Sequence, residues 1–87
     1  MVAREYSFAP ANLAVAAGRV RIILRNEGSV AHNLKVQKDG EELGGTPTFV
    51  GGESRSSSVE LRPGRYEMVC TVGDHAQLGM QGTLIAR

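Results

Sequence analysis

Cysteine is almost missing from this sequence. Cys70 is the only one, which excludes an internal disulfide and any iron–sulfur cluster, since such clusters need several thiolates. An excess of one charge is missing too: ten Lys and Arg against nine Asp and Glu give a formal net charge of +1. The basic residues are spread along the chain with no cluster and no interleaved aromatics, which argues against nucleic acid as a partner. No apolar run approaches the roughly 20 residues of a membrane-spanning helix. The opening MVAREYSF also lacks the charged-then-apolar order of a signal peptide. At 87 residues the chain is long enough for one domain, residues 1–87, and too short for two independent cores. A small monomeric domain is the expectation, and its thin stability margin is one to which a bound metal would add.

Turn-forming residues, in contrast, are plentiful. Eleven glycines and three prolines cut the chain into short pieces at strand spacing. Within the pieces the apolar period is two. Val20, Ile22 and Leu24 alternate with Arg19, Arg21 and Arg25; Leu34 and Val36 with Asn33, Lys35 and Gln37; Val59 and Leu61 with Ser58 and Glu60; Tyr66, Met68 and Cys70 with Arg65 and Glu67. Weaker strands are expected over Arg4 to Phe8, Asn12 to Ala16 and Gly82 to Ala86, and nothing carries a helical period beyond about two turns. The fold class is therefore all-β, about seven short strands in a two-sheet sandwich or a closed barrel, of which the sandwich is the favoured reading. From Lys38 to Ser54 the alternation fails, so this polar, glycine-rich stretch reads as a long connection anchored by Phe49 and Val50. Ile23, Val69 and Ile85 fall on outward positions, where they would matter only as one joined patch.

The chemistry gathers in CTVGDHAQLGM, Cys70 to Met80. Cys70 is in step with Tyr66 and Met68, so its sulfur points inward at the end of a strand, where the sandwich opens into loops. The chain then turns at Gly73-Asp74, passes His75 and turns again at Gly79 before Met80. A thiolate, an imidazole and a thioether can thus converge on one point. His32, at the start of the strand bearing Leu34, shares the inward face with it and can close the set from the same end. Two imidazoles, one thiolate and a weak thioether are the donors of a trigonal copper site with a long axial bond. Zinc also takes Cys and His, but its structural sites use four strong ligands and methionine is a poor fourth. Taken singly, each residue has a plainer reading: Cys70 and Met80 as core filler, His75 as a solvated loop residue. Met68 keeps the plain reading.

The stretch YEMVCTVGDHAQLGMQGTLIAR resembles the C-terminal signature of the cupredoxins, the small blue-copper proteins, in its Cys-x4-His-x4-Met spacing and the Gly-Thr-Leu strand that follows. FAPANLAVAAG, RIILRNEGSVAHNL and TPTFVGGESRSSSVELRPGRYEM resemble cupredoxin segments in the family's order, so the likeness covers nearly the whole chain. It implies a Greek-key β-sandwich holding one copper ion that cycles between Cu(I) and Cu(II). The implied ligands are His32, Cys70 and His75 in the equatorial plane and Met80 on the axis. Asn33 and Thr71 would tie the two ligand-bearing segments together, with the carbonyl of Ala31 a distant axial contact. The implied activity is one-electron transfer between redox protein partners, with His75 reaching the surface through an apolar patch that includes Val30, Gly73, Ala76, Leu78 and Gly79. The likeness also implies an extracytoplasmic setting, periplasmic or at the cell surface. Catalytic relatives carry further histidines, one beside the cysteine, whereas this chain has Thr71 there and no third histidine, so an enzyme is not expected. The alternatives are a copper-delivery protein and a domain cut from a larger oxidase. One departure stands out: many relatives have Pro-Gly-His where this chain has Gly73-Asp74-His75.

Overall fold

The computed structural model describes residues 1–87 and contains nine strands: β1 Val2–Arg4, β2 Ser7–Ala9, β3 Asn12–Val15, β4 Gly18–Asn26, β5 Lys35–Lys38, β6 Glu41–Gly45, β7 Ser54–Leu61, β8 Gly64–Val69 and β9 Gln81–Ala86. They form two sheets, in the orders β2-β1-β4-β7 and β3-β9-β8-β5-β6. β1 runs parallel to β4 and β3 parallel to β9, while the other pairings are antiparallel. This is the all-β sandwich expected.

Strand parity explains the core. Val20, Ile22 and Leu24 of β4 are buried while Arg19, Arg21 and Arg25 are exposed. Val59 and Leu61 of β7 follow the same alternation on the same sheet. From the second sheet Val36, Tyr66, Met68 and Leu84 face them, and Leu34 and Cys70 lie just beyond the strand ends. Each such side chain withdrawn from water contributes about 1.5–3 kcal/mol before chain entropy is counted. Ile23 is exposed on the first sheet while Val69 and Ile85 are half-buried in the second, so these outward residues form no joint patch.

Two segments differ from the sequence expectation. Arg4 to Phe8 is two strands rather than one, with Arg4 paired to Ser7 and Ala3 to Phe8, so Glu5 and Tyr6 form a tight turn. No glycine or proline marks that turn. The stretch from Lys38 to Ser54 contains an edge strand, β6, paired to β5. Glu41, Glu42 and Leu43 are all exposed and its inner end is glycine, so no alternation announces it. Gly45 is required there because a Cβ would lie 2.1 Å from the Leu34 carbonyl oxygen. Within the same connection Phe49 is buried as expected, but Val50 is 58% exposed and anchors nothing.

The topology brings the ends of both sheets together. The β1–β2 turn, the segment after β4, the segment after β6 and the loop between β8 and β9 all emerge at one end of the sandwich. That end carries the candidate centre.

Candidate metal centre

His32 lies outside the regular strands, in an isolated bridge to Phe49. Its N–H donates to the Phe49 carbonyl at 3.1 Å and its carbonyl accepts from the Phe49 N–H at 3.0 Å. Just beyond, the Leu34 carbonyl accepts from the Thr46 N–H, while the Leu34 N–H donates to Thr46 Oγ1 at 3.0 Å. The histidine is therefore fixed by the connection that the sequence presents as a featureless loop. On its other side Asn26, fully buried, donates from Nδ2 to the carbonyls of Val30 and Phe49, at 3.0 Å each, and accepts from the Gly28 N–H at 2.9 Å. One amide thus staples both segments that hold His32.

The Cys70–Met80 loop is closed by its own backbone. The Cys70 N–H donates to the Met80 carbonyl at 3.1 Å, and the Met80 N–H donates to the His75 carbonyl at 3.0 Å. A single turn runs from Asp74 to Leu78, with the Leu78 N–H shared between the Asp74 and His75 carbonyls. Asp74 is exposed, and its backbone carbonyl rather than its carboxylate takes part in that turn.

Four candidate side chains lie at this end, three from one loop and His32 from a distant segment. His32, Cys70 and His75 are all buried, and one donor atom from each lies within 4.8 Å of the others. The two Nδ1 atoms are 3.2 Å apart, and Cys70 Sγ is 3.5 Å from His75 Nδ1. Met80 is fully buried in the same cluster of core residues. Asn33 joins the two halves: its Oδ1 accepts from the Thr71 N–H, and its Nδ2 donates to the hydroxyls of Thr71 and Thr48, all at 2.9 Å. Ala31 precedes His32 and is half-buried.

Two residues that sequence reasoning missed complete the surroundings, both from the β1–β2 turn. Glu5 Oε2 is 2.8 Å from His32 Nε2, and its other oxygen accepts from the Ser29 N–H. The bond from His32, and then that from Ser29, hold the Glu5 carboxyl below its ordinary value of 4.5, so it is a carboxylate at neutral pH. A carboxylate only accepts. Nε2 of His32 therefore carries the proton, which leaves Nδ1 with its lone pair toward Cys70 and His75. Tyr6 covers His75, with the two ring centroids 4.9 Å apart. His75 itself is only 9% exposed, and Tyr6 beside it is 37% exposed. Val30 and Leu78 are 42% and 52% exposed, and Ala76 is half-buried. The signal that would have found Glu5 and Tyr6 is their turn, which no local residue pattern marks.

The donor set suits a soft metal that tolerates three strong ligands and one weak one, which is copper's preference rather than zinc's. A two-sheet sandwich with one cysteine sulfur and two imidazoles buried at its loop end is the arrangement of the small copper proteins. The chain belongs to the cupredoxin-like family, whose domain model matches residues 1–86. Among solved structures it is similar to auracyanin A, a "blue" copper protein from the green thermophilic photosynthetic bacterium Chloroflexus aurantiacus. That match has 24% identity over 100% of this chain and 98% of the other, with a TM-score of 0.85. The reduced auracyanin of the photosynthetic bacterium Roseiflexus castenholzii matches at 18% identity over 97% of this chain and 90% of the other, TM-score 0.86. An azurin of Methylomonas sp. strain J matches at 16% identity over 99% and 94%, TM-score 0.84. No curated protein sequence matches.

Proposed function

We propose that this domain is a mononuclear type 1 copper protein that carries single electrons between redox partners. The observation that carries the reading is the buried convergence of His32, Cys70 and His75 within 4.8 Å in a cupredoxin-like fold. These three would be the copper's strong ligands and the Met80 thioether a weak fourth. Bound copper would supply a one-electron couple. The chain's part is to hold four donors in a geometry fixed by backbone bonds, so that little rearranges when the charge changes. Asn33 and Thr71 keep the His32 and Cys70 segments in register, as outer hydrogen-bonding partners of a metal site do. Burial of every ligand favours a retained metal over one handed to an acceptor, which sets the electron carrier above a delivery protein. The chain's two histidines are both used in this one site, which leaves none for the additional copper ions of an oxidase.

The partners are redox proteins that meet the loop end of the sandwich, where Tyr6, Val30, Ala76 and Leu78 offer apolar surface beside His75. Small apolar contacts of this kind suit short-lived encounters. We place the protein outside the cytoplasm, in a periplasm or at a cell surface, on the strength of the family likeness.

Titration with Cu(II) is expected to saturate at one equivalent and to turn the protein intensely blue through thiolate-to-copper charge transfer. A colourless one-to-one complex would overturn the assignment. Met80→Leu is expected to keep the blue colour and raise the reduction potential, because loss of the thioether removes donation that favours Cu(II). A shift of about 59 mV, a tenfold change in a one-electron equilibrium, is the scale expected. An unchanged potential removes Met80 from the site.

A further inference from the structure

The β1–β2 turn places a carboxylate on the outer nitrogen of a ligand histidine, and the surrounding residues are arranged to keep it there. Glu5 Oε2 lies 2.8 Å from His32 Nε2, and the Ser29 N–H holds the second oxygen. Gly28 makes the approach possible: a Cβ at that position would lie 1.8 Å from Glu5 Oε2 and 2.9 Å from His32 Nε2. The nearby guanidinium groups are engaged elsewhere, since Arg4 and Arg25 both pair with Glu27. His32 is fully buried and the Glu5 side chain is 25% exposed, so water screens this pair less than a surface pair.

We propose that Glu5 is a positioning residue whose negative charge, delivered through the His32 imidazole, shifts the redox balance of the centre toward its oxidised form. The proposal rests on the blue-copper reading above. A carboxylate accepting from the far N–H of a metal-bound imidazole fixes the ring's tautomer and orientation and raises its basicity. A more basic ligand and a nearby negative charge both favour the state with the higher metal charge. In the reaction one electron enters from a donor protein and leaves to an acceptor protein; no bond is made or broken, and Glu5 keeps its charge throughout. Glu5 thus sets how readily the electron stays.

The test uses the copper-loaded protein. Glu5→Gln preserves size and an oxygen able to accept from Nε2, and removes only the charge. It is expected to stay blue and to shift the one-electron equilibrium about tenfold toward the reduced form, a rise of about 59 mV. Glu60→Gln, on β7 opposite Arg19, removes a carboxylate from the far part of the first sheet and is expected to leave the potential in place. Gly28→Ala should raise the potential by displacing the carboxylate, with no further rise when combined with Glu5→Gln. In the reduced wild type, proton–nitrogen NMR should show a slowly exchanging His32 Nε2–H, a readout that requires no variant to fold. A blue wild type with an unchanged potential in Glu5→Gln, or a rapidly exchanging Nε2–H, overturns the role of Glu5 and leaves the copper reading standing. A wild type that forms no blue complex removes both.

Discussion

Cys70→Ser is expected to yield a folded protein that shows no blue colour at any copper concentration. The colour requires a sulfur-to-copper charge transfer, and a serine hydroxyl is a hard, neutral donor at pH 7 that cannot provide it. Affinity should fall by more than about 100-fold, since loss of even an outer partner of a metal ligand costs 10–100-fold. The fold should survive, because the smaller oxygen occupies the sulfur's place with His75 Nδ1, now 3.5 Å from Sγ, as a hydrogen-bond partner. Thermal unfolding of the metal-free variant checks this separately from the visible spectrum. Met68→Leu is the comparison: Met68 is fully buried two residues away on β8, and a volume-conserving change there should keep the colour. A blue Cys70→Ser protein would sink the ligand assignment.

Asn26→Ala is expected to have the largest effect on stability. It deletes three hydrogen bonds at once: the Phe49 carbonyl keeps only its bond from the His32 N–H, and the Val30 carbonyl and the Gly28 N–H lose a part-buried partner. Each net bond contributes about 0.5–1.5 kcal/mol, and an unsatisfied buried group costs more, so a loss of about 3 kcal/mol is expected. For a domain of this size that lowers Tm by roughly 12–24 °C. Calorimetry of the metal-free protein measures it, with exposed Gln77→Ala as a change expected to stay within about 0.5 kcal/mol. Copper should restore part of the loss, since a ligand that binds only the native state stabilises it by mass action. A Tm within about 4 °C of wild type would mean that the staple carries no weight.

Much of the sandwich could be read directly from the chain, because a strand with one buried face writes its parity into the sequence. Val20, Ile22 and Leu24 and the step from Tyr66 through Met68 to Cys70 are such cases, and the latter also located the thiol. What could not be read was structure held by backbone and by single polar groups. β6 is an edge strand whose Glu41, Glu42 and Leu43 are all exposed and whose inner end is glycine, so it has no buried hydrophobic face to display. Asn26 ends β4 as an ordinary polar residue would, and its three bonds depend on where two later segments return. Glu5 and Tyr6 are more than twenty residues from either histidine in the chain, and only the parallel pairing of β1 with β4 brings them over the site.

Chain separation also divides the centre into a local part and a distant one. Cys70 and His75 are 5 residues apart, whereas His32 and His75 are 43 apart. By loop-closure entropy alone the distant encounter costs about 2 kcal/mol more than the near one. A thiol and one imidazole are thus close along the chain, while the second imidazole is brought to them by the packing of the two sheets that hold β4, β5 and β8. A centre that includes His32 therefore depends on the finished sandwich, whereas Cys70, His75 and Met80 are held close by one loop.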